Sequence, residues 1–127
     1  MRRAIDATVI KDRKILLVRK RKVWILPGGK PHPGESDLEC LRREIGEELS
    51  GTEIENPRYY NEFEGKTPHT GDILKAIVYF ASIKGELHPP AAEISAAEWI
   101  AGNETGEYNL SDITQKIVES LKKDGHL

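Results

Sequence analysis

The sequence predicts an α/β/α sandwich, in which a mixed β-sheet is flanked by helices. Short runs rich in Ile, Val and Leu suit strands, and two other segments carry apolar residues at helical spacing. These segments follow one another as strands, helix, strands and helix, the order expected for such layers. Because 127 residues suit one core, we expect a single domain over residues 1–127.

The N-terminal part predicts a β-hairpin followed by a short strand. Residues 3–10 and 14–20 are apolar runs separated by the polar residues 11–13, which is typical of two strands joined by a tight turn. Residues 23–26 suit a brief third strand, because Pro27-Gly28-Gly29 follows as a strong turn signal.

A helix is predicted to begin after Ser36. Asp37 and Glu39 follow this serine, as in a capped helix with an acidic first turn. An apolar stripe at spacings of three and four then runs through Leu38, Leu41, Ile45 and Leu49.

The C-terminal half predicts three further strands and a last helix. Residues 52–63 and 72–84 suit strands, and the second is so continuously apolar that we expect it at the centre of a sheet. Residues 94–100 suit a short strand, and Asn109 or Ser111 caps the final helix. The expected buried side of that helix consists of Leu110, Ile113, Ile117, Val118 and Leu121.

Composition restricts the partners of the protein. A net charge of −2 and a pI near 6.1 argue against stable nucleic-acid binding, which usually needs a basic face. The longest apolar run, residues 76–81, is too short to span a bilayer, so we expect no membrane association. The single cysteine, Cys40, excludes an intrachain disulfide and suits a reducing compartment, which favours the cytoplasm.

Three glutamates share one side of the first predicted helix. On a helical wheel Glu44, Glu47 and Glu48 point in roughly one direction, beside the apolar stripe. They either form a solvated acidic face relieved by Arg42 and Arg43, or they bind a divalent cation. Mg²⁺ prefers such hard oxygen ligands and leaves room for waters and substrate phosphates.

The spacing around these glutamates resembles the Nudix box, the signature of hydrolases that act on a nucleoside diphosphate linked to another moiety. Gly29 is followed after five residues by Glu35 and after seven more by Arg43-Glu44-Ile45-Gly46-Glu47-Glu48. The family pattern is Gly, five residues, Glu, seven residues and Arg-Glu-U-x-Glu-Glu-x-Gly-U, where U is a bulky apolar residue. Every charged position of that pattern is present, and the lead-in Trp24 to Lys30 is also similar to that of the family.

Two positions depart from the pattern. Ser50 stands where the family has glycine, and Gly51 stands where it has an apolar residue. The family glycine is suited to ending the helix in a left-handed conformation. We expect Gly51 to take over this role one residue later, and Ile54 to be the next core residue.

The resemblance implies a metal centre. Mg²⁺, with Mn²⁺ as the alternative ion, is the implied cofactor. Glu44 and Glu48 are its implied ligands, Glu47 is a third, and the Gly28 carbonyl faces the same ion.

Further catalytic roles follow from the same resemblance. Arg43 is expected to bridge Glu35 and the catalytic helix and so to orient the carboxylates. The general base is either a box glutamate or a later one. For the later one, Glu93 resembles the late glutamate of MutT-type members, with a solvated residue after Pro89-Pro90 as the alternative, and Glu98 is a second candidate.

Arg19 and Lys30 are the candidates for contacts to substrate phosphates. Arg19 ends the second predicted strand, where family members often carry an arginine that reaches the substrate. A charged hairpin edge is the alternative interpretation.

The implied reaction is Mg²⁺-dependent hydrolysis of a pyrophosphate bond in a small nucleotide, and a (d)NTP pyrophosphatase of MutT type is the leading hypothesis. ADP-ribose, nucleotide sugars and dinucleoside polyphosphates are alternative substrates. A non-catalytic nucleotide-binding module is the alternative of a different class. The resemblance also leaves open a homodimer.

Overall fold

The computed structural model describes residues 2–67, 70–88 and 93–127. Within them the chain forms eight β-strands, two α-helices and a 3₁₀ helix. The first five strands are β1 (Arg2–Thr8), β2 (Ile10–Lys11), β3 (Lys14–Lys20), β4 (Val23–Ile25) and β5 (Gly28–Gly29). The remaining elements are α1 (Asp37–Glu48), β6 (Thr52–Lys66), β7 (Ile73–Gly85), β8 (Ile94–Ala101), the 3₁₀ helix (Gly102–Glu107) and α2 (Asp112–Lys123).

The strands form two four-stranded sheets. The first has the order β5-β1-β7-β6 and is mixed, because β1 and β7 are parallel whereas the other neighbours are antiparallel. In the second, β3 pairs with β2, β4 and β8, always antiparallel. The predicted mixed sheet is confirmed, and β7 lies between β1 and β6, as its apolar sequence predicts.

The predicted N-terminal hairpin is wrong for most of its length. Only Ile10 and Lys11 pair with Ile15 and Lys14, while β1 joins the other sheet beside β7. The chain therefore crosses between sheets after β1. An apolar strand pattern shows which face is buried but not which strand is the neighbour, so the sequence does not reveal this exchange.

Two hydrophobic clusters lie on the two sides of the first sheet. The cluster beneath α1 joins Ile5 and Ala7 of β1 to Leu41 and Ile45 of the helix. The cluster beneath α2 joins residues of β3 and β7 to the apolar side of that helix, including Ile113, Ile117, Val118 and Leu121. Both helices are thus anchored by the apolar stripes seen in the sequence.

Both helix starts have side-chain caps. Ser36 accepts a hydrogen bond from the Glu39 amide at 3.1 Å, and the Glu39 carboxylate accepts one from the Ser36 amide at 2.9 Å, which completes a capping box. Ser111, rather than Asn109, caps α2 and accepts from the Thr114 amide at 3.2 Å. The predicted start of α1 is confirmed, and the register of its glutamates follows from it.

The end of α1 accommodates the unusual Ser50-Gly51 pair. The helix ends at Glu48 with Leu49 as its cap, and Gly51 has a φ of +89°. A Cβ at Gly51 would lie 2.4 Å from the Glu86 carbonyl oxygen, so glycine is needed for the close approach as well as for the turn. Ile54 is buried in the α1 cluster, as expected for the next core residue.

The capping box gives a stability prediction. Ser36→Ala removes the acceptor for the Glu39 amide, and we expect the free energy of unfolding to fall by about 1 kcal/mol. Ser50→Ala, in the turn after α1, is the matched control and should change it by less than about 0.5 kcal/mol. Urea denaturation followed by circular dichroism measures both, and equal stability of the two variants would contradict the role of the cap.

Candidate active site

Two adjacent glycines shape the site. Gly28 and Gly29 form β5 and pair with Asp6 and Ile5 of β1. A Cβ at Gly28, whose φ is +145°, would lie 2.5 Å from the Asp6 Oδ1, and one at Gly29 would lie 2.5 Å from the Glu44 carboxyl carbon. Only glycines therefore allow the carboxylates of β1 and α1 to lie against this strand.

Glu48 is buried in the last turn of α1. Only 9% of the residue is exposed, and its Oε1 accepts a hydrogen bond of 2.8 Å from the Gly28 amide. Burial raises the pKa of Glu48 to about 7; the hydrogen bond from Gly28 opposes this rise, and the charge of Glu44 adds to it. The charge of Lys20 also opposes the rise, but burial outweighs it, so the folded protein holds the Glu48 proton more tightly than an exposed glutamate would.

Arg43 links the glycine-rich loop to the helix. Its Nε and Nη2 donate to the two carboxylate oxygens of Glu35 at 2.7 and 3.0 Å, and its Nη1 donates to Glu44 Oε1 at 2.7 Å. Nη2 also donates to the Lys30 carbonyl at 3.1 Å. Hydrogen bonds from Arg43, and then from the His32 amide, lower the pKa of Glu35 to about 2. The contact between Arg43 and Glu35 that the sequence predicts is present.

Glu47 lies apart from the other two box glutamates. Its side chain is 55% exposed, and its Oε1 is 3.5 Å from Arg43 Nη1. Glu44 and Glu48 line the cavity described below, whereas Glu47 is not among its lining residues in the described part of the chain. Of the three glutamates that share one side on the helical wheel, two therefore meet at the site.

A cavity of about 510 Å³ adjoins the glycines and these carboxylates, which is large enough for a nucleotide. Its lining includes Gly28, Gly29, Glu44 and Glu48. Other polar residues that line it are Arg2, Asp6, Lys20, Arg21, Lys30, His32, Thr67, Thr70, Ser111 and Thr114. The cavity is thus lined both by carboxylates and by several cationic side chains.

Arg19 and Glu93 are not among the cavity-lining residues in the described part of the chain. Arg19 lies on β3 and pairs with Trp24 of β4 and Ala96 of β8. The neighbouring residue Lys20, by contrast, lines the cavity. Glu93 is 62% exposed, and its Oε2 lies 2.9 Å from Lys20 Nζ. Pro89 and Pro90 lie outside the described residues.

The second base candidate, Glu98, is exposed on β8. It accepts a hydrogen bond from the Tyr108 hydroxyl at 3.2 Å and is absent from the described cavity lining. The catalytic roles of Glu93 and Glu98 stay predictions, as do the ligand and phosphate-binding roles of the other predicted residues.

Asp6 is a site residue that the sequence analysis missed. It lines the cavity from β1 and is 9% exposed. Burial, and then the charges of Glu48 and Glu44, raise the pKa of Asp6 well above its ordinary value. Its sequence signal was an aspartate inside the apolar run AIDATVI, since a charged residue in a buried strand needs a reason.

The donor chemistry of the site fits a hard divalent cation. Within residues 2–67, 70–88 and 93–127, no three His, Cys, Asp or Glu side chains are already arranged as ligands of one ion. Glu44 is held by Arg43 and Glu48 by the Gly28 amide. However, Asp6, Glu44 and Glu48 place carboxylates around one glycine pair, and their mutual repulsion would be relieved by a cation.

No helix in the described part of the chain is both long and apolar enough to cross a membrane.

Comparison with known proteins identifies a domain of the family that the box spacing resembles. A family model described as NUDIX domain matches residues 1–121. The curated NAD-capped RNA hydrolase ndx-9 of Caenorhabditis elegans is 27% identical over 126 residues. That match covers 94% of this chain and 33% of the relative, so the chain spans about a third of the length of this curated protein.

Solved structures agree over nearly the full length. A MutT NUDIX hydrolase from Burkholderia pseudomallei superimposes with a TM-score of 0.81 at 26% identity, covering 93% of this chain and 95% of that one. The solution structure of the E. coli ORF135 protein superimposes with a TM-score of 0.79 at 27% identity, and the match covers 98% of this chain and 93% of that one.

The raised pKa of Glu48 gives a pH-dependent stability prediction. The folded protein binds the proton of the Glu48 carboxyl group more tightly than the unfolded chain does, where the pKa is the ordinary 4.5. Its contribution is therefore fully present below pH 4.5 and is lost as the pH rises through about 7. Without divalent cations, this loss should be on the order of 3 kcal/mol.

Chemical denaturation in EDTA between pH 4.5 and 7.5 tests this prediction. Glu48→Gln should reduce the decline in stability, although Asp6 should still contribute in the same direction. Glu119→Gln, an exposed change on α2, should leave the wild-type slope intact. Equal slopes for wild type and Glu48→Gln would show that the Glu48 carboxyl is not perturbed.

Proposed function

We propose, because this chain belongs to the Nudix hydrolase family, that its site cleaves a pyrophosphate bond in a nucleoside diphosphate derivative with the help of a divalent cation. The observation that carries the proposal is the approach of Glu44 and Glu48 to Gly28 and Gly29 in the lining of a nucleotide-sized cavity. Carboxylates at this position are suited to a cation that also contacts phosphate.

Glu44 and Glu48 are the proposed principal ligands of Mg²⁺, with Mn²⁺ as the alternative ion. Glu47 and the Gly28 carbonyl are proposed as further ligands. When bound, the ion supplies charge neutralisation at the phosphates and makes a bound water more acidic. The chain itself keeps the Glu44 carboxylate oriented through the hydrogen bond from Arg43, which Glu35 in turn holds from the other side.

Cationic side chains support a polyphosphate substrate. Lys20, Arg21 and Lys30 line the same cavity as Glu44 and Glu48. A polyphosphate can therefore approach the cation with its outer oxygens near these side chains. Arg19, one strand position from Lys20, stays a proposal for the same role.

The general base is proposed to be either a box glutamate or Glu93. The ion pair of Glu93 with Lys20 supports its inclusion, because it connects this exposed carboxylate to a residue of the cavity wall.

Nucleoside triphosphates are the proposed substrate class, in line with the MutT name of a similar structure. ADP-ribose, nucleotide sugars and dinucleoside polyphosphates are the alternatives, and the name of the curated relative adds NAD-capped RNA. We also propose that residues 1–127 act as one domain in the cytoplasm, where the buried thiol Cys40 stays reduced.

Carboxylate-to-amide variants test the reaction. Glu44→Gln and Glu48→Gln should each lower kcat/KM by about 100-fold or more, because each removes a charge needed for electrostatic stabilisation. The measurement is phosphate or pyrophosphate release from a panel of nucleotides with Mg²⁺ and with EDTA. Glu119→Gln is the control and should retain wild-type activity.

Two outcomes would contradict the proposal. Full activity of both amide variants would remove the metal-binding role of these glutamates. A wild-type protein that turns over no nucleotide, yet gains thermal stability from one, would instead be a non-catalytic binding module.

The glycine pair gives a matched backbone test. An alanine at Gly29 would place its Cβ 2.5 Å from the Glu44 carboxyl carbon, so Gly29→Ala should displace Glu44 and lower kcat/KM about 10- to 100-fold. Gly46→Ala, on α1, meets no atom within 4 Å and should keep activity while stabilising the helix by up to about 1 kcal/mol. Equal activities of the two variants would contradict the need for this close approach.

A further inference from the structure

Asp6 occupies an unusual place for a charged residue. It lies within β1, between Ile5 and Ala7, which are fully buried in the cluster beneath α1. Its Cα partners are Gly28 on one side and Val78 on the other, so Asp6 lies inside the sheet and not at its edge. Only 9% of the residue is exposed.

The Asp6 carboxylate makes no hydrogen bond or ion pair with the described residues. By contrast, Thr8, two residues along the same strand, donates its hydroxyl to the Tyr79 carbonyl at 3.3 Å. Every fully enclosed polar side-chain atom in the described part of the chain has a hydrogen-bond partner. The two Asp6 oxygens are therefore not enclosed, and since Asp6 lines the 510 Å³ cavity, they open into it.

Two further carboxylates lie beside the Asp6 side chain. Gly28, against which the Asp6 Oδ1 packs, donates its amide to Glu48. Glu44 packs in the same way against Gly29. Three acidic groups thus surround the glycine pair, one from the sheet and two from α1.

Two of the basic groups near these acids are already paired, and other cationic side chains line the same cavity. Arg43 binds Glu44 and Glu35, and Lys20 binds Glu93. When Asp6, Glu44 and Glu48 are ionised, a neutral donor of a nucleotide, such as a hydroxyl or an amine, would not offset the repulsion between these carboxylates. A divalent cation would offset this repulsion and use the oxygens of Asp6, which make no hydrogen bond or ion pair with the described residues.

We propose that Asp6 is a carboxylate ligand of the divalent cation, contributed by the sheet and acting together with Glu44 and Glu48. This inference rests on the proposed function, and it adds a residue outside the Nudix box to the metal centre. Asp6 would thereby connect the metal centre to β1, a strand of the mixed sheet.

Metal binding without nucleotide tests the inference. We would titrate Mn²⁺ into the wild-type protein and into Asp6→Asn, Glu44→Gln and Glu48→Gln, and follow free Mn²⁺ by electron paramagnetic resonance. Asp6→Asn keeps the size of the side chain, and it should weaken Mn²⁺ binding by about 10-fold or more. Asp12→Asn, in the exposed turn before β3, is the control and should bind as the wild type does.

The possible results distinguish a failure of the Asp6 inference from a failure of the proposed function. Wild-type Mn²⁺ affinity in Asp6→Asn, with weakened binding in Glu44→Gln or Glu48→Gln, would overturn the role of Asp6 and leave the proposed function intact. An Asp6→Asn protein with unchanged Mn²⁺ affinity and a raised KM would make Asp6 a nucleotide contact and would also overturn the inference. Absence of Mn²⁺ binding by the folded wild-type protein would overturn both.

A second measurement keeps the test valid if Asp6→Asn does not fold. In the wild-type protein labelled with ¹³C at aspartate carboxyl carbons, added Mg²⁺ should shift the Asp6 resonance and leave that of Asp12 in place. An unmoved Asp6 resonance at saturating Mg²⁺ would contradict direct ligation.

Discussion

The guanidinium of Arg43 is the interaction on which the geometry of the site depends. Its planar group contacts Glu35, the Lys30 carbonyl and Glu44, so a single side chain joins the loop after β5 to the middle of α1. A lysine at position 43 could not make this fork of hydrogen bonds, because its ammonium is a point donor without a planar arrangement. The loop and the helix are therefore held in one relative position, and Glu44 faces the glycine pair.

The absence of side chains at Gly28 and Gly29 is equally necessary. The two-residue strand β5 pairs with β1, and the carboxylates of Glu44 and Glu48 lie close against it. Such crowding of acid is unfavourable in a folded protein unless hydrogen bonds or cations compensate it. Here the Gly28 amide and Arg43 compensate part of it, while burial and, to a smaller extent, the charge of Glu44 raise the pKa of Glu48. The site thus carries an electrostatic cost that a divalent cation would offset.

Much of the local structure could be predicted from the sequence. Ser36 and the apolar stripe through Leu41 and Ile45 located α1, and the continuous apolar run located β7 as a central strand. The contact between Arg43 and Glu35 followed from family resemblance and is present in the structure. By contrast, the pairing of β1 was predicted wrongly, because strand partners depend on long-range packing, to which a local pattern is insensitive.

The sequence by itself determined the elements and the family, since helix caps, apolar periodicity and box spacing are properties of neighbouring residues. Only the tertiary structure decided which charged groups meet. It brought Glu44 and Glu48 to the cavity and left Glu47 exposed, because small differences in helix rotation relative to the sheet separate these positions. It also placed Lys20 at the cavity and put Asp6 beside Gly28. Asp6 lies there because β1 pairs with β5 and β7 in the first sheet and the chain crosses to the second sheet only after β1, and no spacing rule records that crossing.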